Sequence, residues 1–176
     1  IRKIMSVTLD FISIESLSKL VKLSVQTFEE TFGHKNTKEN MAWYFKTKMN
    51  SEQLKKELLH PNSDFYWILF RKKIIGYLKL NFNDAQTEVV NLGESFEIER
   101  IYILSNFQQK GFGKDVLSKV ISLGKNKGYS YLWLGVWEQN ENAIAFYTKK
   151  GFEIFNRHVF QLGNDPQTDL LMGLKI

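Results

Sequence analysis

The sequence contains no cysteine. Disulfides, thiolate metal sites and cysteine nucleophiles are thereby excluded, and nothing points to an oxidising compartment. Histidine is scarce: His34, His60 and His158 are the three copies, and no two have metal-ligand spacing. No metal site is expected. No apolar run approaches the roughly 20 residues of a membrane-spanning helix, and the N-terminal stretch lacks a signal-peptide core. A cytoplasmic location is the expectation. The chain begins at Ile1, so Met5 reads either as the native start or as a residue inside a longer chain. Internal repeats, linkers and low-complexity segments are also missing.

What is present is a chain of 176 residues, with 43% apolar and 24% charged residues. That length and balance suit a single globular domain over 1–176 with a sizeable core. Phenylalanine occurs 14 times, so the core should be rich in aromatic rings. The net charge of +5 suits an anionic ligand such as a nucleotide. The lysines are spread along the chain rather than clustered, so a nucleic-acid surface is not expected.

Apolar spacing predicts a helix over 16–32, through Leu17, Leu20, Val21, Val25 and Phe28. Two short helices follow at 36–45 and 51–59, the second opening on Ser51 as its cap and stopping at His60-Pro61-Asn62. Aromatic and branched residues predict strands at 65–70 and 74–80, joined by a turn at 71–73. Residues 81–94 read as polar loop, 96–104 as a strand and 111–127 as an amphipathic helix ending at Gly128. The almost wholly apolar 131–137 reads as a strand covered on both faces. Asn140 can cap a helix that stops at Gly151, and strands at 152–160 and 170–176 close the chain. This order predicts an α/β fold with a mixed central sheet flanked by helices.

The segment Gln108-Gln109-Lys110-Gly111-Phe112-Gly113-Lys114 joins a strand to the amphipathic helix. A helix start carries unpaired N–H groups and partial positive charge, which together make an anion site. Glycine lets the backbone close on a phosphate, and Lys110 and Lys114 add charge at the same place. The spacing is neither a Walker loop nor a dinucleotide fingerprint. Taken alone, it also fits a tight strand–helix turn.

Gln-x-x-Gly-x-Gly after a strand, here Gln108, Gly111 and Gly113, resembles the pyrophosphate motif of GNAT acetyltransferases. Ile98-Glu99-Arg100-Ile101-Tyr102-Ile103 before it is similar to that family's acetyl-CoA strand. The stretch from Asn140 through Ala143, Tyr147 and Gly151-Phe152 resembles its second block, Asn-x-x-Ala-x-x-x-Tyr followed by Gly-Phe. Segments around 27–32, 97–102, 133–138 and 162–169 look like the PaiA-type spermidine/spermine acetyltransferases. Pro166 departs from that branch, where an acidic residue is usual.

The resemblance implies the GNAT fold and acetyl-CoA as acetyl donor. Gln108, Gln109, Lys110, Gly111, Phe112, Gly113 and Lys114 would bind its pyrophosphate. Ile101, Tyr102 and Ile103 would hold the pantetheine arm and stabilise the carbonyl oxygen. Asn140, Phe146 and Lys149 would contact the rest of the cofactor. Tyr147 would donate a proton to the leaving thiolate, or serve only as a packed aromatic. An amine acceptor must lose a proton before it attacks, which calls for a base. Glu97 and Glu99 are the candidates, with Glu97 preferred. Two residues apart on a regular strand, they share a face unless a bulge separates them.

The resemblance places the acceptor pocket on the first helices, the loop before the acetyl-CoA strand and the last hairpin. Phe28, Glu29, Phe32 and Tyr44 are the acceptor-site candidates, with Trp43 beside them; aromatics at this spacing also serve as core. For a polyamine, Glu29, Glu30, Asp84, Glu94 and Glu138 could supply the carboxylates. Two alternatives stay open: acetylation of a protein N-terminus or lysine, and a weakly active acetyl-CoA-binding regulator. A homodimer is compatible with the resemblance, but the residues do not address it.

Overall fold

The computed structural model describes residues 6–176, so Met5 lies outside the described residues. One mixed sheet of seven strands carries the fold: β1 (Thr8–Phe11), β2 (Ser63–Phe70), β3 (Lys73–Asn81), β4 (Ser95–Ile103), β5 (Tyr131–Trp137), β6 (Glu153–Leu162) and β7 (Asp165–Lys175). The helices are α1 (Leu17–Phe32), α2 (Lys38–Lys48), α3 (Ser51–Leu58), α4 (Phe112–Asn126) and α5 (Glu141–Lys149). Strand order is β1-β2-β3-β4-β5-β7-β6, and every neighbouring pair but β4–β5 is antiparallel. That exception follows from connectivity. Helix α4 crosses over between β4 and β5, whereas hairpins join β2–β3 and β6–β7.

Side chains alternate across the sheet and divide the core in two. On β2, Tyr66 and Ile68 join Val116, Leu117 and Val120 of α4, while Phe65 and Trp67 join Leu20 of α1 and Leu54 of α3. Helices therefore cover both faces, as the sequence predicts. Burying a residue such as Leu20 contributes about 1.5–3 kcal/mol. Helix α4 packs so closely on the sheet that a Cβ at Gly124 would collide with the Phe96 ring. A third cluster gathers Phe28, Met41, Tyr44 and Leu162 between α1, α2 and β6.

The structure corrects several expectations. Strand β1 has no counterpart in the sequence reading. It is four residues long and mostly exposed, and pairing with β2 from Thr8↔Leu69 to Phe11↔Tyr66 defines it. Strand β7 begins at Asp165, not 170, because residues 165–169 continue the hairpin with β6. The cap of α3 is Asn50, not Ser51: the Asn50 Oδ1 accepts from the Gln53 N–H at 2.8 Å. Thr37 caps α2 and delays its start to Lys38. At α5 the expected cap holds, with the Asn140 Oδ1 accepting from the Ala143 N–H at 3.3 Å. Among the described residues, no helix is long and apolar enough to cross a membrane, and no group of three His, Asp or Glu could hold a metal ion.

Candidate active site

The site begins where two strands part. Parallel pairing of β4 with β5 runs from Ser95↔Tyr131 to Ile98↔Leu134 and stops. Beyond it, β4 continues to Ile103 against β3, and β5 continues to Trp137 against β7. The two facing edges no longer pair, which leaves main-chain groups in need of partners. A cavity of about 1130 Å³ occupies the gap, and Ile101, Tyr102 and Ile103 form part of its wall.

One end of the cavity is the turn before α4. Gly111 sits there at φ 86, a left-handed conformation that favours glycine, and the space where a Cβ would stand is open. At Gly113 a Cβ would make only an ordinary contact, 3.7 Å from the Phe146 ring. Gln108, Gln109, Gly111, Phe112, Gly113 and Lys114 line this end, and the first amides of α4 open beside them. The Gln108 side chain braces the turn, its Nε2 donating to the Ile103 carbonyl at 2.8 Å. A strongly anionic group fits this cradle: open space at the glycine, free helix-start amides and a lysine converge on it.

Lys110 and Lys149 do not join the group. The Lys110 Nζ donates to the Asn106 carbonyl at 2.6 Å, and both lysines are exposed outside the cavity wall. Asn140, Phe146 and Tyr147 do line the cavity. Tyr147 is buried, with its ring 5.1 Å from Phe146 and 5.3 Å from Phe152. Burial pushes its hydroxyl up from the usual phenol range, so it stays protonated at neutral pH.

The two glutamates differ sharply. Glu97 is buried and accepts from the Thr87 N–H at 2.8 Å, the Thr87 Oγ1 at 2.5 Å and the Asn81 Nδ2 at 3.1 Å. Burial, reinforced by the charge of Glu99, pushes its carboxyl up to about 7, against the pull of the Thr87 and Asn81 hydrogen bonds. Glu99 pairs with Lys79 and Arg100 and accepts from the Asn81 Nδ2 at 2.6 Å. The register of β3 against β4 slips between Lys79↔Arg100 and Leu80↔Ile98, which leaves Glu99 as the extra residue of a bulge. The bulge does not separate the two glutamates, since Asn81 reaches both. It adds Arg100 to their face, where Glu57 of α3 holds the guanidinium at 2.7 and 3.1 Å.

On the side of α1 and α2, Phe28, Phe32 and Tyr44 line the cavity, with Phe28 and Tyr44 stacked at 4.3 Å. Glu29 does not: it is exposed outside the wall, and its neighbour Glu30 lines the cavity instead. There the Glu30 carboxylate accepts from the Ser105 N–H at 2.8 Å. Trp43, Asp84, Glu94 and Glu138 also lie off the wall, and Asp84 accepts from the Asn62 Nδ2 at 2.6 Å. The sequence reading missed Glu88, Trp133, His158, Phe160, Gln167 and Asp169, all of which line the cavity. His158 and Asp169 are cross-strand partners on β6 and β7, 3.7 Å apart at their nearest N and O, with Glu88 3.5 Å from the other ring nitrogen. Burial pushes Asp169 up to about 6; His158 opposes this and Glu138 adds to it. Alternation along β7 carries the signal for Asp169: Leu170 and Met172 pack in the core, which turns Asp169 to the other face.

The sequence pattern of the Acetyltransferase (GNAT) family matches residues 18–152. A Lactobacillus delbrueckii subsp. lactis protein, named as an N-acetyltransferase, is 42% identical over 161 residues, covering 92% of each chain. The spermidine N(1)-acetyltransferase of Thermoplasma acidophilum is 24% identical over 154 residues, covering 85% of this chain and 90% of that one. Among solved structures, the PaiA N-acetyltransferase of Thermoplasma acidophilum in complex with coenzyme A superimposes with a TM-score of 0.76 at 23% identity, covering 98% and 100% of the two chains. An acetyltransferase-fold protein of Rhodopseudomonas palustris superimposes with a TM-score of 0.75 at 13% identity, covering 97% and 96%. With its parted strands, glycine turn and matching sequence pattern, this chain belongs to the GNAT family of acetyltransferases, which take their acetyl group from acetyl-CoA.

Proposed function

We propose that the protein acetylates a primary amine of a small polycationic acceptor, with polyamines such as spermidine or spermine as the substrate class. One observation carries this reading. A single cavity joins the α4 turn, the parted edges of β4 and β5, Tyr147, and the carboxylates of Glu30, Glu88, Glu97, Glu99 and Asp169. Carboxylates in a partly buried wall attract a polycation and offset its desolvation. The identity of the Thermoplasma spermidine enzyme points the same way.

Acetyl-CoA supplies an activated acetyl group as a thioester. The α4 amides with Gly111, Gly113 and Lys114 grip its pyrophosphate, and the β4 edge at Ile101, Tyr102 and Ile103 holds its arm as an added strand would. Asn140 spends its Oδ1 on the helix cap, which leaves its Nδ2 to donate to the arm. Phe146 packs beside it.

Glu97 accepts the acceptor's proton, directly or through water. A carboxyl near 7 is matched to that task at neutral pH, whereas Glu99 is already committed to two cations. Tyr147, which lines the same cavity and is protonated at neutral pH, donates its proton to the departing sulfur. The Phe28–Tyr44 stack and Phe32 shape the acceptor end.

The test is thiol release from acetyl-CoA with spermidine, spermine, short diamines, monoamines, amino acids and an N-terminal peptide offered separately. Faster release with polyamines than with monoamines of equal length supports the proposal. Release with the peptide alone would replace it by protein acetylation, and release with none of them by a regulatory role.

A further inference from the structure

Behind Glu97, Glu99 belongs to a cluster of charges whose other members, Glu57, Lys79 and Arg100, the proposed chemistry does not use. Lys79 and Arg100 are 6% and 8% exposed at their side chains, and Glu57 and Glu99 are 13% and 18% exposed. Glu57 of α3 bridges the cations: its carboxylate takes Arg100 at 2.7 and 3.1 Å and Lys79 at 2.9 Å, and accepts from the Gln53 Nε2 at 2.8 Å. Both cations also pair with Glu99. Two carboxylates and two cations balance formally. Burial opposes the charge on Glu57, but Arg100 and then Lys79 hold its carboxyl well below the usual range, so it is ionised at neutral pH.

We propose that Glu57 is a positioning residue: by engaging Lys79 and Arg100 from α3, it keeps them from cancelling the charge that Glu99 directs at Glu97, and so sets the pH at which Glu97 gains its proton. This rests on the reading of Glu97 as the base. The other neighbours of Glu97 cannot serve the purpose. From β3 it meets the uncharged Asn81, from the 81–94 loop the uncharged Thr87, and from β5 the uncharged Trp133 at the paired position. Glu88, next in that loop, is turned to His158. Glu99 is the charge that bears on Glu97, and its field depends on how far Lys79 and Arg100 are shared with Glu57. Without Glu57 both cations would act on Glu99 alone and the cluster would carry a net positive charge. Glu97 would then lose its proton more easily. Without Lys79 the imbalance is negative, and Glu97 would hold its proton more tightly.

The two substitutions therefore push in opposite directions, which loosened packing would not do. The measurement is a carbon-13 titration of the glutamate carboxyls in the full chain, with the Glu97 signal identified by its loss in Glu97→Gln. Opposite charges at 4–6 Å shift such groups by about 1–3 units, and Glu57 stands one layer further back. Glu57→Gln should lower the Glu97 midpoint by about 0.5–1 unit, Lys79→Met should raise it by a similar amount, and the double variant should return it near the parent value. Unmoved midpoints, or movement of both single variants in one direction, would overturn the inference. If Glu57→Gln alone does not fold, the charge-balanced double variant compared with Lys79→Met decides: a lower midpoint in the double variant supports the inference and equal midpoints overturn it. The pH profile of acetyl transfer separates the two claims. Should the carboxyl midpoint move as expected while the acid limb of kcat/KM stays put, Glu97 is not the base, yet the role of Glu57 stands.

Discussion

Glu99 and Arg100, consecutive in β4, point to the same face of the sheet, with their side chains paired at 3.0 Å. Neighbours on a regular strand point to opposite faces. The bulge abolishes that alternation for one step and brings a guanidinium beside two carboxylates. Glu99 is thereby tied into ion pairs, whereas Glu97 makes none among the described residues and burial pushes its carboxyl up to about 7.

Replacing Glu97 by Gln should reduce kcat about 10²–10⁴-fold, the usual worth of a positioned base, with little change in acetyl-CoA affinity measured by calorimetry. In the parent enzyme kcat/KM should rise as pH increases through about 7, because only the ionised carboxylate accepts a proton. The same shift has a stability signature. A carboxyl raised on folding stabilises the fold below its unfolded value and loses that contribution as pH rises through about 7. Thermal unfolding at pH 5 and pH 8 should therefore differ less in Glu97→Gln than in the parent.

Tyr147→Phe keeps the ring packed against Phe146 and Phe152 and removes only the hydroxyl. Turnover should fall about 10–100-fold, at or below the low end of general-acid help, while coenzyme A affinity and Tm stay near the parent values. Tyr147→Ala should also cost about 3–5 kcal/mol of stability through the cavity it leaves. Parent-like turnover in the Phe variant would retire this tyrosine as the acid.

Gly111 and Gly113 should respond differently to Val. Gly111 is at φ 86, which a branched residue resists, so Gly111→Val should weaken both the fold and cofactor binding. A Cβ at Gly113 makes only an ordinary contact with Phe146, so Gly113→Val should leave Tm nearly unchanged. Its coenzyme A affinity should still drop about tenfold or more, since the added methyls crowd the pyrophosphate, a charge-assisted contact worth about 1.5–3 kcal/mol. Unchanged affinity would count against the turn as the phosphate grip.

Asp169→Asn should raise KM for a polyamine about tenfold, the worth of one charged hydrogen bond, and leave KM for a monoamine of similar length nearly unaltered. Because burial pushes Asp169 up to about 6, KM for the polyamine in the parent should improve as pH rises through that value. Equal effects on both acceptor types would remove Asp169 from acceptor recognition.

The mixed sheet, the helices on both faces and the glycine turn before α4 were legible because each rests on local chemistry. Apolar periodicity marks the elements, and Gly111, Gly113 and Asn140 mark their junctions. Strand β1 was not legible: its exposed residues form a strand only because β2 offers an open edge. The end of the cavity at the α4 turn is built from contiguous residues of one motif, and most of them line it. The other end draws on α1, α2, the 81–94 loop and the β6–β7 hairpin, which no contiguous motif marks.

The order of residues by itself determined most of the segments that become strand or helix, and where a helix start lies bare, since those depend on neighbours a few positions away. Only the tertiary structure decided that β4 and β5 part after Ile98↔Leu134, that Glu30 rather than Glu29 faces the gap, and that Glu97 rather than Glu99 escapes the ion pairs. Those outcomes depend on register, a one-residue bulge and contacts as distant as Glu57 with Arg100, and the energies that set them act through space rather than along the chain.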